Sequence, residues 1–151
     1  MHKTALADST ILIVLSNIKK LDLLNKIYEQ IHITSEIYEE CSLVMSDWII
    51  VQKIKDKKYQ KFLETQFDVG EASLIALSQE YNTPLLLDDL KARKLAKRLG
   101  LKVTGTSGII QKAKEFGYIA EVKPIIEELH SNGFYLSSKI TNEFLRINWE
   151  L

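Results

Sequence analysis

Short apolar runs alternate along this chain with longer stretches in which apolar residues recur every three or four positions. One such run, residues 85–87, follows a turn segment at 82–84 and stops at Asp88. A short apolar run bounded by turn residues is typical of a buried strand in a parallel sheet, whereas the three-to-four spacing predicts amphipathic helices. Strands that alternate with helices through right-handed crossovers form a parallel sheet covered on both faces. The pattern therefore predicts an α/β fold.

The same pattern assigns the individual elements and gives a central sheet of about four to five parallel strands. Strands are predicted at residues 2–7, 31–33, 48–51, 85–87 and 101–104. Helices are predicted at residues 9–17, 21–30, 35–44, 53–67, 71–80, 90–100, 106–117, 122–132 and 138–149. No internal repeat, low-complexity segment or Gly/Pro-rich linker divides the chain, so residues 1–151 are expected to form a single domain.

Composition narrows the class of protein. The chain has 151 residues, 46% hydrophobic and 26% charged, which is ordinary globular usage. Lys plus Arg and Asp plus Glu both number 20, so a nucleic-acid partner would have to be met by a local basic patch. A single cysteine excludes an intramolecular disulfide, and the apolar run 11–15 is too short to span a bilayer. We expect a cytoplasmic protein without a membrane segment.

Four acidic residues, Asp8, Glu40, Glu71 and Asp88, come from four separate segments. Asp8 follows the first predicted strand and Asp88 follows the fourth. The carboxyl ends of parallel strands meet at one edge of the sheet, where ligands usually bind. Glu71 opens a helix, and Glu40 lies on a helix face that is otherwise apolar, where a carboxylate is costly to bury unless it is paired or bound to a metal. We expect these acids to converge.

Each acid also has a simpler explanation, which for Glu40 is a partly exposed, solvated side chain. Asp8 and either Asp88 or Asp89 would serve as N-caps, although Ser9 could cap the first helix without Asp8. A carboxylate in the first turn of a helix, such as Glu71, is favoured by the helix dipole. Only the convergence of these acids at one edge of the sheet would indicate a catalytic or metal-binding role.

Carboxylates brought close together take up protons unless a cation neutralises them. The three histidines have no ligand spacing, and oxygen ligands alone favour Mg²⁺ or Mn²⁺ over zinc. A metal of this kind supports the hydrolysis of phosphodiester bonds by an activated water.

Several segments together resemble a known family. They are GEASLIAL at 70–77, LLLDD at 85–89 with the following KARKLAKRLGLKVTGTSG, the opening ADST and the helix ITSEIYEEC. These segments resemble the PIN-domain ribonucleases, particularly the branch related to VapC-type toxins, over roughly residues 5–145. Many relatives have a proline shortly after the first Asp-Ser, where this chain has Thr10-Ile11.

The resemblance implies a three-layer α/β/α PIN-like sandwich that cleaves RNA with Mg²⁺ or Mn²⁺. It also implies a cognate antitoxin that occludes the acidic edge, and a homodimer. The implied metal-binding acids are Asp8, Glu40, Glu71 and Asp88, with Asp89 as an additional or substitute ligand. Thr106 and Ser9 would support the site.

RNA contacts are expected from basic residues of the helix after Asp89, namely Lys91, Lys94 and Lys97, and from Lys102. Arg93 is a further candidate, although an ion pair with Asp89 one turn earlier is favoured.

Two alternatives belong to other classes of function. The first is a catalytically inactive PIN-like binding or regulatory module whose acids act mainly as caps. The second is a Mg²⁺-binding phosphoacceptor domain, which normally needs an acid pair after the first strand and a lysine after the last. This chain has Asp8 alone and residues 104–107 at those positions, so the phosphoacceptor ranks below the other two.

Overall fold

The computed structural model describes residues 4–41 and 46–151. Its strands, in chain order, are β1 (Thr4–Ala7), β2 (Gln30–Thr34), β3 (Ile49–Gln52), β4 (Leu85–Leu86) and β5 (Val103–Thr104). The helices are α1 (Ser9–Asn17), α2 (Asp22–Ile27), α3 (Ser35–Glu40), α4 (Lys57–Leu63), α5 (Val69–Tyr81), α6 (Leu90–Arg98), α7 (Thr106–Glu115), α8 (Lys123–Ser131) and α9 (Ser138–Ile147). No helix in these ranges is long and apolar enough to cross a membrane.

All strands pair in parallel, in the order β3-β2-β1-β4-β5. The predicted α/β fold, with a parallel sheet of four to five strands between layers of helices, is confirmed. β1 and β4 are neighbours, with Ala7 opposite Leu86, and the backbone amide of Asp8 donates to the carbonyl of Leu86 at 3.0 Å. This register brings the chain after β1 and the chain after β4 to the same edge of the sheet.

The core surrounds this sheet and one central helix. Every residue of α5 from 72 to 78 is buried, as expected of a helix enclosed by other elements. Its Ser73 hydroxyl lies 2.7 Å from the hydroxyl of Thr34 at the end of β2 and donates to the carbonyl of Gly70. These buried hydrogen bonds fix the start of α5 against the end of the sheet.

Several predicted boundaries need correction. Helix α3 ends at Glu40, because Cys41 is extended, and the predicted continuation at 42–44 lies outside the described residues, as do residues 2 and 3 of the first predicted strand. Helix α4 begins at Lys57 rather than at residue 53, because the side chain of Asp56 caps it by accepting from the amide of Tyr59 at 3.0 Å.

Candidate active site

Asp8 occupies the N-cap position of α1 but does not cap the helix. Its side chain makes no capping hydrogen bond, and only 5% of the residue is exposed. Burial raises the pKa of Asp8 from 3.8 to about 7; interaction with the backbone amide of Ser9 opposes this rise, and the charges of Asp68, Glu40 and Asp88 add to it. The fold therefore keeps a buried carboxyl group among other acids with no capping bond to explain it.

The buried Ser9 joins α1 to the end of α3. Its hydroxyl donates to Oε2 of Glu40 at 2.9 Å, while Glu40 itself is exposed. Glu40 lies directly over Gly70, where an added Cβ would come within 2.9 Å of its Cδ and Oε2 atoms. A side chain at position 70 would therefore displace this carboxylate, so the glycine makes room for it.

Asp88 follows β4 and is held by the first residue of α7. Its Oδ1 accepts from the backbone amide of Thr106 at 2.8 Å, and its Oδ2 accepts from the Thr106 hydroxyl at 2.6 Å. Thr106 is fully buried. Two hydrogen bonds from one fixed residue orient the Asp88 carboxylate and leave its remaining lone pairs for another partner.

Arg93 extends from α6 towards Gly105, the residue before Thr106. Its Nη1 donates to the carbonyl of Leu87 at 3.2 Å. An added Cβ at Gly105 would collide with Nη1 of Arg93 and would lie 2.7 Å from Oδ1 of Asp88, so both groups crowd one position. The favoured ion pair between Arg93 and Asp89 is wrong: among the ion pairs of the described residues, none joins these two.

Glu71 lies in the first turn of α5 and is partly buried. Burial, together with the charges of Asp68, Asp89 and Asp8, raises its pKa to about 7, and interaction with the backbone of Asp68 opposes the rise. Proximity to Asp8 links the start of α5 to the end of β1. Dipole complementation alone does not account for an acid whose pKa is raised.

Asp68 and Asp89 are conventional caps that also contribute negative charge. Asp68 caps α5 by accepting from the amide of Glu71 at 2.8 Å, and Asp89 caps α6 by accepting from the amide of Ala92 at 2.9 Å. The capping explanation therefore applies to Asp89 and not to Asp88. We call the set Asp8, Glu40, Asp68, Glu71, Asp88 and Asp89 the acidic rim.

Sequence reasoning missed three members of this arrangement: Asp68, Gly70 and Gly105. The signal for Asp68 was present as an aspartate three residues before a glutamate at a helix start, a pattern that predicts a cap. Nothing local marks it as a neighbour of Asp8. The two glycines matter through contacts with Glu40 and Asp88, which are distant in sequence.

The chemistry of the acidic rim fits a hard divalent cation. The nearby thiol of Cys41 has its pKa raised to about 11 by burial and by the charges of Glu40 and Asp8, so it stays protonated at neutral pH in the metal-free protein. Within 4–41 and 46–151, no group of three or more His, Cys, Asp or Glu side chains is arranged to hold a metal. Mg²⁺ is usually held by one or two carboxylates and keeps several waters, so an open arrangement suits it.

The basic residues of α6 differ in their surroundings. The ammonium of Lys91 donates to the carbonyl of Gln66 at 2.7 Å and lies 5.1 Å from the centre of the Phe67 ring. Lys94 and Lys97 are exposed. A role in RNA binding stays a prediction for all three.

Comparison with known proteins adds one finding. No curated protein matches the sequence. A family model described as a PIN domain matches residues 4–150, which include every strand and helix and the whole acidic rim. PIN domains are generally nucleases, a class of hydrolase that binds nucleic acid. Because the match extends over nearly the whole chain, this protein belongs to the PIN-domain family.

Proposed function

We propose that this protein is a Mg²⁺- or Mn²⁺-dependent endoribonuclease and the toxin of a toxin–antitoxin pair. The observation that carries the proposal is the state of Asp8, a buried N-cap aspartate that caps nothing and whose pKa rises to about 7 in the company of other acids. Burying a carboxylate without a partner is unfavourable, so such a group is more typical of a functional site than of a structural one.

Four acids of the rim fall into two groups: two accept hydrogen bonds from neighbouring residues, and two have raised pKa values. In the first group, Thr106 orients Asp88 and Ser9 orients Glu40. In the second group, Asp8 and Glu71 have raised pKa values, so a positive charge placed between them would return them to the carboxylate form. We assign these four acids to the cation site, with Asp89 as an additional one; one or two of them would contact the ion and the others would hold its water molecules.

A bound divalent cation would neutralise phosphate charge and make a water molecule a better nucleophile at neutral pH. PIN-domain nucleases generally use such metals. The protein's own part is to fix the carboxylates in position, and the buried Thr34–Ser73 hydrogen bond and the Ser9–Glu40 hydrogen bond both restrict their movement.

The experiment is cleavage of total RNA with Mn²⁺, with Mg²⁺ and with EDTA. We expect the wild type to cleave only with metal, and Asp88→Asn to be at least about 100-fold slower, because the change removes a charge and keeps the shape. Asp22→Asn is the matched control, since Asp22 is exposed and contacts only Lys26 across one helical turn at 3.8 Å. If wild type and Asp88→Asn were both folded and metal-loaded but equally inactive, the ribonuclease proposal would be refuted. That result would favour a binding module.

Asp89→Asn separates a ligand from a cap. Asparagine caps helices about as well as aspartate, so the variant should fold with unchanged stability. If Asp89 contributes to metal binding, the variant needs more Mn²⁺ to reach half-maximal cleavage. If Asp89 is only the cap of α6, the metal requirement does not change.

The toxin assignment, the antitoxin and the homodimer derive from the resemblance to VapC-type proteins. Expression of the wild type alone should arrest bacterial growth, and expression of Asp88→Asn at the same level should not. Growth unaffected by an active nuclease would remove the toxin assignment and leave the ribonuclease in place.

A further inference from the structure

Two cavities adjoin beside β5, the edge strand of the sheet. The first, about 390 Å³, begins at Arg93 and Gly105 next to Asp88 and extends along α7. The second, about 330 Å³, continues towards the end of α7. They share Thr104 and Lys112, so they form one continuous depression that starts at the acidic rim. We call it the β5 groove.

The β5 groove is lined by three basic side chains: Arg93, Lys112 and Lys102. The ammonium of Lys112 lies 3.3 Å from the hydroxyl of Tyr28 and 5.6 Å from the centre of its ring. A neutral phenol holds the ammonium in place without cancelling its charge. Glu115 is the acidic residue of the lining, and it accepts a hydrogen bond from Gln111 at 3.2 Å.

Aromatic side chains lie at the far end of the β5 groove. Phe116 lines the second cavity and is 46% exposed, and Tyr118 beside it is 40% exposed. Their rings meet edge to face, with centres 6.1 Å apart and planes at 73°. Basic side chains followed by partly exposed aromatic rings are the usual combination in surfaces that bind single-stranded nucleic acid.

The lysines of α6 offer a weaker alternative. None of Lys91, Lys94 and Lys97 lines either cavity of the groove. Exposed lysines on a helix are more often a solvated face than a binding surface.

We propose that the β5 groove binds single-stranded RNA that extends from the acidic rim. Phosphates contact Arg93 and Lys112, and a base packs against Phe116. This inference rests on the proposed ribonuclease function and deepens it, since it names an unpaired strand as the substrate and gives the side of the rim on which the strand lies.

The test measures binding of a fluorescent, unstructured 12-nucleotide RNA to the full chain by anisotropy, in EDTA, across a series of salt concentrations. Removing one phosphate contact with Lys112→Gln should weaken binding about fivefold at 0.1 M salt and reduce the salt slope by about 0.7. Lys112→Arg keeps the charge and should restore both values. Phe116→Ala should weaken binding at least about fivefold through lost stacking. Lys58→Gln is the matched control and should change neither value, because Lys58 is exposed on α4 and lines neither cavity of the groove.

Three results would overturn the groove: equal weakening by Lys112→Gln and Lys58→Gln, unchanged binding by folded Lys112→Gln or by folded Phe116→Ala, or equally tight binding of a 12-base-pair duplex. A different result would refute the proposed ribonuclease function. If binding depends on Lys112 but no RNA is cleaved with Mn²⁺, the groove is supported as an RNA-binding surface and the nuclease proposal is refuted. If RNA is cleaved and the KM does not respond to Lys112→Gln, the nuclease stands and the groove does not.

Discussion

Replacing the buried Asp8 with asparagine should make the metal-free protein more stable at pH 8. The reason is the pKa of Asp8, which burial and neighbouring acids raise from 3.8 to about 7. An acid whose pKa is higher in the folded protein binds its proton more tightly there. Stability is therefore greatest at low pH and is lost as the pH rises from about 4 to about 7. Asparagine has nearly the same shape and carries no charge at any pH.

The size of the effect follows from the shift. Each pKa unit corresponds to about 1.4 kcal/mol, so a rise of roughly three units sets an upper limit of about 4 kcal/mol for the cost of ionising Asp8 in the folded state. Local relaxation and penetrating water reduce this cost, and about 1 to 4 kcal/mol is expected. For a chain of this length, 1 kcal/mol moves the melting temperature by about 2–4 °C. Asp8→Asn should therefore melt roughly 3–12 °C higher at pH 8.

The assay is thermal unfolding by circular dichroism at pH 4, 6 and 8 with EDTA. The difference between Asp8→Asn and wild type should be small at pH 4 and should grow towards pH 8. Asp56→Asn is the matched control, because Asp56 is an exposed N-cap that makes its capping bond to the amide of Tyr59. Its difference from wild type should stay within about 0.5 kcal/mol across this range.

Adding a divalent cation should make the wild type more stable than Asp8→Asn at pH 8. Mg²⁺ or Mn²⁺ that binds the folded protein raises its stability by mass action, and it should do so for the wild type at pH 8 far more than for Asp8→Asn. The electrostatic reasoning would be refuted if Asp8→Asn were no more stable than wild type at pH 8, or if the difference between them stayed the same from pH 4 to pH 8.

Two further changes test contacts around the rim and at the end of the chain. Gly105→Ala should lower the free energy of unfolding by about 1–3 kcal/mol and slow RNA cleavage, because the new Cβ would collide with Arg93 and crowd Asp88. Adding Arg93→Ala should recover stability. If the two stability changes simply added in a thermal-unfolding cycle, the collision would be contradicted. Burial tends to raise the pKa of Glu150, but hydrogen bonds from the two backbone amides at the start of α8 and from Lys114 outweigh burial and lower the pKa. Glu150→Gln should therefore be less stable than wild type at pH 7. In thermal unfolding below about pH 4, where the wild-type carboxylate takes up its proton, the two proteins should approach the same stability.

The fold was largely predictable because its signals are local. The apolar run at 85–87 bounded by turn residues is β4 and the residue after it, and α5 to α7 begin within two residues of their predicted starts. These elements follow from burial and helix capping, which act over a few residues. Predicted helix boundaries were wrong where a single polar side chain determines them. Asp56 caps α4, so the helix begins at Lys57.

Parts of the candidate site were predictable for a related reason. Asp8 and Asp88 follow apolar strands, and parallel strands deliver such residues to one edge. The sequence does not contain the strand order that makes β1 and β4 neighbours, nor the hydrogen bonds by which Thr106 fixes Asp88. Such contacts join residues far apart in the chain, and no local pattern specifies them.

The difference between Asp8 and the other helix-capping aspartates carries the functional argument further than the number of acids does. Asp56, Asp68 and Asp89 each occupy an N-cap position and accept a hydrogen bond from an amide of the first turn, as local chemistry dictates. Asp8 occupies the same position, is more deeply buried and makes no such bond. A residue that departs from the rule its own chain follows elsewhere is typically placed for function. Asp8 is therefore the position at which the nuclease and the structural explanation differ most.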